Sequence, residues 1–227
     1  MTNNLVSQAG EMQLSGVPND MIQMFNDIGC ILLGPIFQKI IYPTLKRYNI
    51  SFKPITRMTW SFISMSAAMA YAAGVQKMIY NAGPCYDEPL ACPASQGGAL
   101  PNDISVWLQI PIYFLLSASE ILGFTTLSEF SYSEAPKNMR AFVQALRQIS
   151  SGVGAALALA LSRVSTDPKI LYVYAGLSSF MIASVPVFSF YFRNYKEKED
   201  IEIPQEEMME ESRQVTDIER PPVEKVQ

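Results

Sequence analysis

The stretch Ile104–Phe130, ISVWLQIPIYFLLSASEILGFTTLSEF, decides how this chain folds. Apolar over most of its length, it is long enough as a helix, at 1.5 Å per residue, to cross the roughly 30 Å hydrocarbon core of a bilayer. Past its midpoint it carries Glu120. A charge at membrane depth costs roughly 2.5–3.5 kcal/mol on insertion scales, so it faces a bundle interior or a wet cavity and often marks a path for substrate or protons. The stretch therefore predicts a membrane helix built around a usable carboxylate.

Further apolar runs flank it. Ile170–Phe192 contains no charged residue, and a run of that length is rare in a soluble domain. Residues 58–80 and 141–161 read as two more crossings, and residues 21–45 as a weaker one, because it holds Asp27 and Lys39. Thr2–Met12 reads as the end of a helix whose beginning precedes the chain. The fold class is thus an all-α membrane protein whose bundle occupies residues 1–192. Residues 193–227 are dense in Glu and poor in aromatics, and they predict a disordered acidic tail, because such a segment cannot bury enough apolar surface to fold alone. The opening MTNNLVSQAG lacks the basic start and compact apolar core of a signal peptide.

Lys and Arg placement orients the bundle. Lys46, Arg47, Lys53 and Arg57 fall in one connection, Lys137 and Arg140 in another, and Arg193, Lys196 and Lys198 open the tail. These segments alternate correctly to share the cytoplasmic side. The connections 11–20 and 81–103 hold no Lys or Arg and are expected outside, with 81–103 the long extracellular loop. Asn49-Ile50-Ser51 fits a glycosylation pattern but would lie inside and stay unmodified. Cys85 and Cys92 fall in the outer loop, where they either close a disulfide or remain free thiols. Cys30 lies within a helix and reads as packing.

The chain has no histidine and a formal net charge of −4. That removes His-based metal sites, Ser-His-Asp triads and the usual neutral-pH switch. No HExxH or GxSxG motif appears, so an enzyme is not expected. No basic surface for nucleic acid is present, and no metal or cofactor is expected. Pro35, Pro43, Pro111 and Pro186 interrupt predicted helices and either kink them around a cavity or are simply accommodated by packing. Ser151, Gly152, Ala155 and Ala156 place small residues four apart, which predicts a helix-packing face.

Glu120 can pair with an ammonium group and can take up a proton. Arg147 lies at similar depth in the following crossing, if the two form a hairpin turning near Ala135 and Pro136. It either pairs with Glu120 or extends its stem to the inner headgroups. Asn26 opens the first crossing, where its amide can serve a cavity or simply start the helix.

Ser119-Glu120 through Ser133-Glu134-Ala135-Pro136-Lys137-Asn138-Met139 resembles the tenth helix, and the loop after it, of the proton-dependent oligopeptide transporter family in its fungal branch. Thr2–Gly10 resembles the end of that family's seventh helix, Val17-Pro18-Asn19-Asp20 and Phe25-Asn26 the approach to its eighth, and Pro54-Ile55-Thr56-Arg57-Met58 the start of its ninth. The likeness covers nearly all of residues 1–192. It implies a partial major-facilitator fold: the carboxy-terminal bundle from the end of helix seven through helix twelve. It also implies symport of di- and tripeptides with protons as the coupling ion, in a multi-pass protein of the plasma membrane among membrane lipids. Glu120 matches the position that holds a peptide's amino terminus, and Asn26 an amide that assists it. Where the family usually has proline after this Asn, Asp27 stands instead, which puts the local kink in question and adds a second candidate carboxylate. The first six helices have no counterpart here. The resemblance thus implies a fragment, inactive without its amino-terminal bundle; a non-transporting membrane adaptor is the alternative.

Overall fold

The computed structural model describes residues 2–14, 16, 18–48, 52–98, 100–162 and 167–192. A short helix, α1 (Thr2–Gly10), precedes five long ones: α2 (Met21–Arg47), α3 (Pro54–Asn81), α4 (Val106–Glu134), α5 (Arg140–Ser162) and α6 (Ile170–Phe192). Two short strands, β1 (Met12–Gln13) and β2 (Asn102–Ser105), pair in parallel, with Met12 opposite Asn102 and Gln13 opposite Ser105. The tail and the Asn49-Ile50-Ser51 pattern lie outside the described residues.

All five expected crossings are helices, with shifted bounds. The 58–80 helix starts earlier because Pro54 sits in its first turn, where a missing N–H costs nothing and a fixed φ favours the helix. The 104–130 helix runs on to Glu134 and stops where Ala135 turns extended (ψ 134°) ahead of Pro136, as a residue before proline prefers. Length and apolar composition together qualify α2, α4 and α6 to span a membrane. The run that looked weakest, α2, is among them, because Asp27 and Lys39 are outweighed by its long apolar core.

The helix α3 is the centre of the bundle, packed along α6 on one side and α4 on the other. Its serines, which dilute its hydropathy, are spent on these seams. Ser61 and Ser119 of α4 exchange hydroxyl-to-carbonyl hydrogen bonds of 2.8 and 3.1 Å, and Ser66 and Ser178 of α6 do the same at 2.9 Å each. Ser64 adds a bond of 2.9 Å to the Leu115 carbonyl. Small polar residues let helix backbones approach and hold them, at about 0.6–2 kcal/mol per bond in a membrane. Met69, Ala72 and Val75 of α3 fill the core between Leu5, Ile112 and Tyr174.

The 81–103 loop is folded onto the end of α3. Cys85 and Cys92 form a disulfide with Cα atoms 5.5 Å apart. The fully buried Asn102 side chain donates to the carbonyls of Ile79 (2.8 Å) and Tyr86 (3.2 Å) and accepts from the Cys85 N–H (3.2 Å). Without that amide, the Cys85 N–H and the Tyr86 carbonyl would lose this partner, while the Ile79 carbonyl at the end of α3 would keep the Ala82 N–H at 3.1 Å.

The helix α5 departs from expectation. Its amino end is tied to α4: Arg140 donates to the Tyr132 hydroxyl at 3.1 Å and stacks on its ring, and Gln144 Nε2 reaches the Ser128 carbonyl at 3.4 Å. Beyond that the helix diverges. Ser151, Gly152, Ala155 and Ala156 are exposed, and no atom lies within 4 Å of where a Gly152 side chain would begin. The predicted packing face meets no helix among the described residues.

Candidate functional site

The carboxylate Glu120 ends the α-helical part of α4, Ile110–Glu120, immediately before a π-helical turn, Ile121–Thr125. Such turns are rare and cluster at functional sites, because one extra residue per turn re-aims the side chains beside it. Two close helix approaches hold the segment. On the α3 side, a Cβ on Gly123 would fall 2.4 Å from Ser61 Oγ and 3.2 Å from its Cβ. On the α2 side, a Cβ on Gly29 would fall 2.3 Å from Ser117 Oγ. Glycine at both positions is what allows three helices to converge here.

At the α2–α4 crossing the polar groups meet in a chain. Asn26 is buried, and its Nδ2 donates to Glu120 Oε2 at 3.1 Å. The Ser117 hydroxyl lies within donating distance of Asn26 Oδ1 (3.0 Å), the Asn26 carbonyl (2.9 Å) and the Tyr113 carbonyl (2.7 Å). With its oxygen turned to Ser117, the Asn26 amide presents its NH2 to the carboxylate. The Cys30 thiol, one turn further along α2, approaches the same Glu120 oxygen at 3.7 Å. Glu120 is half-buried and opens on a cleft of about 530 Å³ lined by Cys30, Gly34, Gln38, Ile121, Phe124 and Thr125. It faces a polar-lipped cavity between α2 and α4. A neighbouring cleft of about 620 Å³, lined by Phe37, Trp60 and Leu115 among others, has no charged wall and is mostly apolar, with Thr56 and Ser64 its hydroxyl residues.

Of the residues singled out from sequence, Glu120 and Asn26 are brought together. Arg147 is not: its Nε donates to Gln144 Oε1 at 3.0 Å, one turn back on α5, and no Glu120–Arg147 ion pair forms among the described residues. The reason is the divergence of α5 past its first turns. Asp27 is exposed and does not line the cleft. Ser117, Gly29 and the Cys30–Glu120 contact went unread, and the only sequence trace was the cadence of small polar residues, Ser117-Ala118-Ser119, leading into the acid.

A POT family model matches residues 1–177. The chain is 47% identical over 194 residues to the peptide transporter imqD of Aspergillus flavus, covering 86% of this chain and 48% of that protein. It is 44% identical to the peptide transporter PTR_C of Candidozyma auris, covering 88% of this chain and 35% of that one. The structure superposes on the crystal structure of the POT family transporter PepTSo with a TM-score of 0.70 at 22% identity, over 86% of this chain and 38% of that one. The chain thus spans from about a third to about half the length of these relatives. With this fold and its membrane-length apolar helices, it is a multi-pass membrane protein with part of a major-facilitator bundle, and it belongs to the POT family.

Proposed function

We propose that this bundle forms one half of a proton-coupled symporter of di- and tripeptides, and that Glu120 receives the peptide's ammonium group. The observation that carries this reading is the half-buried carboxylate at the lip of the α2–α4 cleft, held by an amide and a thiol and by no fixed cation among the described residues. An ammonium donor entering the cleft would form a charge-assisted hydrogen bond, about twice as strong as a neutral one. A proton taken up by the same carboxyl would remove that attraction, so cargo release and protonation share one group. The family assignment and the relatives' names as peptide transporters support the cargo class.

Alternating access needs two bundles moving about a central site. The test is co-expression of this chain with a six-helix amino-terminal half from a POT relative, followed by uptake of a labelled dipeptide. The expected result is uptake that requires both halves and collapses with a protonophore. Insertion of both halves without peptide uptake would contradict the reading and favour an adaptor.

A further inference from the structure

Glu11 lies in the turn after α1, about 22 Å farther along α3 than the Glu120 seam, from the 1.5 Å rise between Ser61 and Gln76. It is 5% exposed. Its Oε2 accepts from Gln76 Nε2 at 2.7 Å. Gln76 Oε1 accepts from Gln8 at 2.8 Å, and Gln8 Oε1 accepts from Gln109 Nε2 at 3.0 Å. Gln8 and Gln109 also donate to the carbonyls of Ala72 (3.0 Å) and Leu5 (3.1 Å). All three glutamines are fully buried. This amide chain ties α1 to α3 and α4 and ends on the carboxyl.

The groups that reach Glu11 are Gln76 and Tyr80 from α3, Tyr174 from α6, and Asp167 from the turn before α6, whose carboxylate also receives the Tyr80 hydroxyl. None is a cation, and among the described residues no lysine or arginine pairs with Glu11. The Tyr174 hydroxyl is an independent sign of a polar site. Its residue is 1% exposed, it lies in the field of both carboxyls and of Tyr113, and neither phenol has a hydrogen-bond partner among the described residues. Two carboxyls facing each other in such a place cannot both ionise without repulsion, and burial penalises the charge of the inner one.

We propose that the Glu11 carboxyl is a proton-binding site at the end of the bundle remote from Glu120, and that loss of its proton loosens the docking of α1 on α3 and α4. Burial, reinforced by Asp167 and opposed by the Gln76 hydrogen bond, raises Glu11 from 4.5 to about 8. The folded protein therefore holds this proton more tightly than the unfolded chain does. That stabilisation is full below pH 4.5 and is lost as pH rises through about 8. The site does not depend on what the cleft at Glu120 carries.

The test is thermal unfolding of the full chain in lipid nanodiscs between pH 6 and 9.5, with no transport readout. The wild type is expected to lose at least about 5 °C of Tm between pH 6 and about 8 and to level off above that, given how steeply Tm follows stability. Glu11→Gln, which keeps an oxygen for Gln76, should flatten the profile and exceed the wild type at pH 9. Asp167→Asn should keep the fall and move the pH at which it levels off lower. A wild-type Tm independent of pH, or a Glu11→Gln profile parallel to wild type, overturns the proposal. If Glu11→Gln fails to fold, Asp167→Asn decides, and an unmoved levelling-off pH overturns the proposal.

Discussion

Glu120→Gln, introduced into a full-length transporter containing this bundle, is expected to cut dipeptide uptake roughly 10- to 100-fold. The estimate rests on the about 1.5–3 kcal/mol of a hydrogen bond to a charged group. The substitution preserves shape and retains an oxygen for the Asn26 amide, which donates at 3.1 Å, so the α2–α4 crossing should stay assembled. What disappears is the negative charge facing the cleft and the ability to take a proton. Protein at the membrane should be unchanged in amount while uptake falls at every external pH. Uptake within twofold of wild type would remove Glu120 from the site.

Gly29→Val should do the opposite: leave every charged group in place and break the framework. Already a Cβ at this position would meet Ser117 Oγ at 2.3 Å and Ser117 Cβ at 3.0 Å. The branched side chain must either drive α2 away from α4 or push Ser117 off the Asn26 amide. Overpacking of this kind costs about 1–3 kcal/mol, and more when backbone must move. The expected outcome is a large fall in folded protein recovered from membranes. Gly34→Ala and Gly74→Ala are the controls, since nothing lies within 4 Å of either position, and both should be recovered at wild-type levels. Equal recovery of Gly29→Val and the controls would mean that the two helices do not touch as described.

The helices were legible because bilayer thickness sets their length and because Pro54, Pro136 and the 81–103 loop punctuate them. Glu120 and Asn26 were legible for a related reason: a polar group in an apolar run is costly, and its cost must be offset by a partner. Which partner was not legible. Arg147 matches Glu120 in depth when read along the chain, but depth carries no azimuth, and α5 swings away after its tie to Tyr132 and Ser128. Ser117, Gly29 and Cys30 read as ordinary small residues of apolar helices and acquire roles only where α2 crosses α4. The glutamine chain from Gln109 to Glu11 joins segments remote in sequence, and no local pattern announces it. The serines of α3 carry no local pattern that marks them as paired seams, because that use needs the two neighbouring helices.

The most direct measurement compares uptake of a free dipeptide with its N-acetylated form in wild-type and Glu120→Gln full-length transporter. If the Glu120 carboxylate holds the peptide's ammonium group, wild type should strongly prefer the free amine, and Glu120→Gln should lose that preference because neither cargo then meets a charge. A Glu120→Gln protein that still discriminates between the two as sharply as wild type would contradict the account.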